Sequence, residues 1–283
     1  MNDIIARIAS RFRPRHATKT ENVPRVENTN LTNDTLPSPY DSSQPFKAPN
    51  PSRAAAAAWN HEALIEQHWR SHPRFLFLKF MTPHGSNVLD VGSGAGGLSC
   101  WKEWMAPDRS DIKLFGVDLV ENAHRSRYEG FEISDLNAAP IPFEGIQFDG
   151  MLVSHVLEHL KDPEHVLSKL HPRVKRGGLV YVETPTPASK DLPRQPEFVE
   201  HGWPMIISNF YDDATHIETY SLASFSEMAQ RAGFAVETSG VISNPYLADL
   251  MIHRGISDND GEMLLYGYWL ATGWAQYMVL KAT

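Results

Sequence analysis

The stretch NVLDVGSGAGG, residues 87–97, constrains the fold of this chain more than any other. An apolar run ends in a carboxylate, Asp90, and enters a turn built from Gly92, Gly94, Gly96 and Gly97. Glycines at that density let the backbone turn sharply and come within contact distance of a ligand where a Cβ would collide. The helix-like GLSCWKEWM follows directly, so a strand, a tight turn and a helix occur in sequence. That alternation then repeats. LFGVDLV reads as a second strand ending at Asp118, and FDGMLVSHV as another. A helix is expected through DPEHVLSKLHPRVK, with Pro163 tolerated in its first turn, and then GGLVYVETPTP as a strand. Strands alternating with helices predict an α/β chain with a mostly parallel, doubly wound sheet. RAAAAAWNHEALIEQHWR, residues 53–70, has no glycine or proline and predicts one helix.

Two patterns overlap in the glycine turn. Gly92, Gly94 and Gly97 satisfy G-x-G-x-x-G, the dinucleotide fingerprint, with an acid further on at Asp118. Asp90, Gly92, Gly94 and Gly96 also satisfy D-x-G-x-G-x-G, which places a carboxylate just before the turn. A dinucleotide needs a helix N-terminus for its pyrophosphate. S-adenosylmethionine carries no phosphate but does carry an ammonium and a sulfonium, so an acid beside the loop is useful to it. Asp90 supplies that acid, directly or by fixing the loop. Asp118, ending the next strand, is placed to accept both ribose hydroxyls. Asp135, in ISDLN, is placed to accept the adenine amino group while a following backbone N–H meets a ring nitrogen.

Asp90 to Gly96, Asp118, Asp135, the Phe148–Asp149 pair and HVLEHLKDP together resemble a class I SAM-dependent methyltransferase. The resemblance covers the chain from about Asn87 to the C-terminus. It implies a Rossmann-like, seven-stranded sheet with helices on both faces and a reversed last strand. It also implies S-adenosyl-L-methionine as cofactor, held by Asp90, Gly92, Ser93, Gly94, Gly96, Asp118, Leu119, Asp135 and Leu136. The methyltransferase domain is expected over residues 53–283. Segments 185–220 and 244–273 are read as acceptor-side insertions, because long connections in a compact domain are usually functional.

SHVLEHLKDPEHV, residues 154–166, packs three histidines and two glutamates together. With a helical first turn, His155, Glu158 and His159 share one face. In the family this segment lies beside the reactive methyl group. Three readings stand side by side: a satisfied structural network, a general base at His155 helped by His216, and a metal site. The third rests on a resemblance to the E-x-x-E-H element of small-RNA 2′-O-methyltransferases, from which this chain departs by a histidine at the first position. The catalytic candidates are therefore His155, Glu158, His159 and His216, and no metal is assigned.

NFYDDATHIETYSLASFSEMAQRAGF resembles a segment of methyltransferases that accompany bacterial glycan and surface-polysaccharide synthesis. The resemblance implies O-methylation of a sugar or glycan, with Asp213, His216 and Tyr220 on the acceptor side. Trp203, Phe210, Tyr211 and Tyr220 are candidates for stacking on a sugar face, or for core packing. A quinone-type or natural-product acceptor, methylated on oxygen or carbon, is the alternative; a 2′-O-RNA enzyme and a non-catalytic SAM sensor follow. The net charge of -8 argues against general nucleic-acid binding. The single cysteine, Cys100, excludes an internal disulfide and is expected to be a buried small hydrophobe. HPRVKRGG is read as a solvated turn. No apolar run spans a bilayer, so a cytoplasmic protein is expected. Residues 1–52 are read as a flexible region that opens with a short basic amphipathic helix (Ile4, Ile5, Ile8 and Phe12 among Arg7, Arg11, Arg13 and Arg15), suited to a membrane surface or a protein partner.

Overall fold

The computed structural model describes residues 45–48 and 51–283. The basic amphipathic helix and most of the linker expected before residue 53 lie outside the described residues. Seven strands form one sheet in the order β3-β2-β1-β4-β5-β7-β6. They are β1 (Asn87–Val91), β2 (Lys113–Asp118), β3 (Gly130–Ile133), β4 (Phe148–Ser154), β5 (Val174–Pro185), β6 (Phe234–Val241) and β7 (Ala275–Ala282). The first five pair in parallel, while β7 runs antiparallel to both β5 and β6. The seven strands and reversed last strand are those expected. Val88, Leu89 and Val91 of β1 are fully buried, because helices cover both faces and a central strand never meets water.

Strand order turns at β1: β2 and β3 lie to one side, β4 and the rest to the other. A sheet that changes direction there opens a crevice beyond the strand C-termini, where ligands of such folds bind. The glycine turn leaves β1 at this point and His155 leaves β4 beside it.

Helices α1 (Arg53–Ala58) and α2 (His61–Ser71) replace the single helix expected over residues 53–70. Asn60 takes an extended conformation and its side chain accepts the Ala63 N–H at 2.8 Å, so a cap ends one helix and starts the next. Helix α3 (Pro73–Leu76) runs into a π-helical turn, Phe77–Met81. Two buried cations hold that turn. Lys79 donates to the carbonyls of Lys102, Met105 and Pro107, and Arg109 donates to those of Leu78, Lys79, Thr82 and Pro83.

The helix after the glycine turn, α4 (Gly97–Trp101), is shorter than expected, and Cys100 on it is half-buried rather than buried. Helix α5 (Pro163–Leu170) is capped by Asp162. HPRVKRGG is a solvated turn only in part: Lys175–Gly177 are exposed, but a 3-10 turn over His171–Arg173 leads straight into β5, and Arg173 donates to the carbonyls of Ile141, Phe143 and Ile146.

Both long connections are structured. Segment 185–220 contains 3-10 turns at Pro187–Asp191 and Phe210–Asp212 around α6 (Gln195–Glu200). Helix α7 (Leu222–Arg231) then leads to β6. Segment 244–273 is a helical hairpin of α8 (Pro245–Ser257) and α9 (Gly261–Thr272), capped by Asn244, Asp260 and the left-handed Gly273. The hairpin packs with α2 over one face of the sheet, while α5 and α7 cover the other. Among the described residues no helix is long and apolar enough to cross a membrane.

Candidate active site

A cavity of about 880 Å³ opens over the C-terminal ends of β1, β2 and β4. Every residue expected to hold the cofactor lines it except Gly96, which caps α4 with φ +79° and shapes the turn from behind. Gly92 and Gly94 also have positive φ. A Cβ on Gly92 would lie 2.3 Å from the Val156 methyl, so the turn and the loop after β4 touch with no room between them. Asp118 is fixed at the strand end, its carboxylate accepting the N–H groups of Gly94 at 2.7 Å and Val120 at 3.3 Å. Asp135 accepts the Asn137 N–H at 2.9 Å and remains exposed at the rim.

Asp90 is 7 % exposed and accepts the Tyr128 hydroxyl at 2.8 Å. Burial pushes its carboxyl up to about 7, against the Tyr128 hydrogen bond, which lowers it. A carboxyl so placed gains from a cation, and a cradle of buried acid, open glycines and a strand-end aspartate fits the amino-acid and ribose parts of S-adenosylmethionine.

HVLEHL does not start a helix. His155 sits at φ +54°, immediately beyond β4, and a 3-10 turn covers only Leu157–His159. Both His155 nitrogens are engaged: Nδ1 lies 3.0 Å from Glu158 Oε1 and Nε2 lies 2.8 Å from Glu183 Oε1. Its side chain is 7 % exposed, and although burial pushes the ring down, the two carboxylates raise it to about 9. Glu183 is also gripped by Arg74, at 2.6 and 3.2 Å, and by the Tyr181 hydroxyl at 2.5 Å. Burial opposes its charge, but Arg74, His72 and His155 hold it well below the usual carboxylate range. The expectation of His155 as general base does not fit this geometry, because an imidazolium between two carboxylates has no lone pair to accept a proton.

The remaining three candidates come together. Glu158, His159 and His216 each offer one ligand atom, and these atoms all lie within 4.8 Å of one another. Glu158 Oε2 and His216 Nε2 are buried and have no hydrogen-bond partner. The His216 Nδ1 donates to the Phe210 carbonyl at 2.6 Å, which leaves Nε2 with its lone pair. Burial lowers the His216 pKa despite that bond, favouring the neutral ring. One carboxylate and two imidazoles, with a carbonyl orienting one ring, are a donor set that divalent ions accept and equally a place to receive a proton.

The acceptor-side expectations fare unevenly. Asp213 lines the cavity, holding Thr215, whose hydroxyl is 2.9 Å from His159 Nδ1. None of the four aromatics offered for sugar stacking lines it. Trp203 and Phe210 are buried in cores, Tyr220 packs against the sheet cluster, and Tyr211 lies under Arg194 at the surface. The aromatic walls are instead Trp69, Trp101, Tyr266 and Trp269, from α2, α4 and α9. Tyr266 and Trp269 lie in segment 244–273, expected on the acceptor side, but nothing in local spacing marks Trp69 and Trp101, because buried aromatics look alike in sequence whether or not a cavity lies beside them.

A seven-stranded sheet with its last strand reversed and this cradle at its switch point defines a class I methyltransferase using S-adenosylmethionine. A profile described as "Methyltransferase domain" matches residues 61–239. Ubiquinone biosynthesis O-methyltransferase from Paraburkholderia phymatum is 29% identical over 205 residues, covering 66% of this chain and 82% of that protein. The enzyme of that name from Acinetobacter baylyi is 30% identical over 145 residues, and the match spans 44% of this chain and 59% of the relative. Among solved structures, a methyltransferase complexed with the Haloferax volcanii Trm112 activator superposes with a TM-score of 0.52 at 21% identity, covering 81% of this chain and 96% of that one. A Haemonchus contortus phosphoethanolamine N-methyltransferase, solved with S-adenosylhomocysteine, gives 0.51 at 19% identity over 76% of this chain and 52% of that one. The chain belongs to the methyltransferase-domain family and is an S-adenosylmethionine-dependent methyltransferase. The relatives give the expected sugar acceptor no support, and neither does the placement of the residues meant to stack on it, all of them outside the cavity lining.

Proposed function

We propose that the protein methylates a hydroxyl oxygen of a small, uncharged, hydroxylated aromatic acceptor. The observation that carries this is the far end of the cavity, where aromatic walls surround charged groups already paired with one another. Arg74 is held by Glu183, and His155 by Glu158 and Glu183, so neither cation is available to a phosphate or carboxylate. A flat neutral ring loses nothing there, whereas an anionic sugar nucleotide or RNA would be buried without a counter-charge. The O-methyltransferase activity named for the relatives in ubiquinone biosynthesis supports the same reading.

Asp90, the glycine turn, Asp118 and Asp135 hold the cofactor, which when bound supplies a methyl group on sulfonium for in-line displacement by oxygen. The surrounding residues align that oxygen and exclude water. A hydroxyl nucleophile must also lose its proton, and the cluster of Glu158, His159 and His216, which meets the cavity at His159 with the other two behind it, is the place to receive it. Glu158, His159 and His216 would also hold a divalent cation, which would lower the hydroxyl pKa instead.

The test is methyl transfer from S-adenosylmethionine by the purified protein, read by mass spectrometry, with catechol, an uncharged glycoside and a short RNA in parallel. Methylated catechol alone is the expected product. Transfer to glycoside or RNA but not catechol would overturn the reading. Loss of turnover with a chelator and recovery with a divalent metal would assign the metal-held form of the cluster.

A further inference from the structure

His68 lines the cavity among the aromatic walls, yet the proposed chemistry gives it no task. It sits in the last turn of α2 and is 4 % exposed. Its ring stacks on Tyr266, with centroids 4.6 Å apart and planes 20° from parallel, and meets Trp69 edge-on at 4.5 Å. Neither Nδ1 nor Nε2 has a hydrogen-bond partner. The next histidine along the helix, His72, differs: its Nδ1 accepts the Arg74 N–H at 3.2 Å and its Nε2 faces Glu183 at 4.0 Å. Buried polar groups are nearly always satisfied, and one left open at a ligand site calls for a partner that arrives with the ligand. Burial, reinforced by neighbouring His72, keeps the ring neutral, so one nitrogen can donate and the other accept.

Resting on the aromatic-acceptor reading above, we infer that His68 is the acceptor anchor: its imidazole hydrogen-bonds a hydroxyl of an aromatic acceptor seated against the wall that Trp69, Trp101 and Tyr266 form. Specificity then follows from the partner left behind. An acceptor lacking that hydroxyl leaves the ring unpaired in an apolar wall, and sites built this way discriminate strongly against such analogues.

The experiment is calorimetric titration of catechol into the full-length protein saturated with S-adenosylhomocysteine, for wild type, His68→Phe and His68→Gln. His68→Phe should raise the catechol Kd about tenfold, the effect of one lost hydrogen bond at a buried site. His68→Gln, which keeps a donor and an acceptor, should recover part of that loss. S-adenosylhomocysteine affinity should stay within about twofold of wild type in both, since His68 lies outside the cofactor cradle. Unchanged catechol affinity in His68→Phe would overturn the anchor and leave the aromatic acceptor standing. Wild-type protein that binds S-adenosylhomocysteine but no catechol would overturn the aromatic acceptor and the anchor with it. Should both variants misfold, ¹⁵N-histidine spectra of the wild-type protein decide: a shift of the His68 ring nitrogens on adding catechol supports the anchor, and an unmoved pair overturns it.

Discussion

Asp90 joins the glycine turn to the solvent's proton activity. With its carboxyl raised from 3.8 to about 7, the folded chain binds a proton over that window that the unfolded chain has released. Stability of the cofactor-free protein therefore falls as pH climbs from about 4 to about 7, since the native state holds the extra proton. A cofactor bearing an ammonium group favours the ionised carboxylate, so binding expels that proton. S-adenosylhomocysteine affinity should be flat above pH 7 and weaken by up to about tenfold per unit below it, as one linked proton requires. Calorimetry in buffers of different ionisation enthalpy would measure the released proton directly, and Asp90→Asn should abolish the dependence. An affinity indifferent to pH would deny Asp90 this role. The same residue marks what sequence reveals at this scale: a ligand that needs an acid before a glycine turn writes both into a few consecutive positions. His155 was open to misreading because its second partner, Glu183, lies 28 residues away and meets it only through the β4–β5 register, where Ser154 stands opposite Glu183.

At the scale of elements, legibility follows periodicity. The strands of the central sheet announce themselves as short apolar runs, and their parallel order follows from the helices between them. The α8–α9 hairpin is silent by that measure. MLLYGYWLATGW is apolar on every side because α9 is buried between α8 and the rest of the core, so no stripe distinguishes a helix from a strand. What fixes the hairpin is close approach at two glycines. A Cβ on Gly255 would lie 2.4 Å from the Leu264 nitrogen, and one on Gly267 would lie 2.7 Å from the Ile252 nitrogen. Backbone sits on backbone at these points, and neither helix can yield without moving the other. Gly267→Ala should therefore cost about 1–3 kcal/mol, the range for overpacking a tight core, despite alanine's better helix propensity. Tyr266 and Trp269 flank that glycine and wall the cavity, so acceptor affinity should fall further than cofactor affinity. Thermal melts with parallel cofactor and catechol titrations would separate the two effects, and an unchanged or raised melting temperature would show that the helices are not in contact there.

For the molecule as a whole, charge is distributed in a way that bears on the acceptor. The chain carries a net charge of -8, so its outer field repels anions over roughly a Debye length, about 8 Å at physiological ionic strength. Inside, the two cations nearest the aromatic walls are cancelled by Glu183 and Glu158, and that network draws on three parts of the fold: α3 through Arg74, β5 through Glu183, and the loop after β4 through His155 and Glu158. The result is a negative exterior around an acceptor end whose cations are balanced. The cavity's other carboxylates, Asp90, Asp118 and Asp135, stand in the cofactor cradle and Asp213 stands beside His159, so nothing there pulls an anion inward. A neutral acceptor should feel neither the field nor its screening. The KM for such an acceptor should change by less than about twofold between low and high salt, because screening acts only on exposed, unbalanced charge. An anionic acceptor would behave differently, its KM dropping as salt shields the surface, and a cationic one would show the reverse. Steady-state kinetics with the methylated acceptor across a salt series thus reads the charge of the natural substrate independently of any structure of the complex, and a slope of either sign would remove the neutral aromatic from consideration.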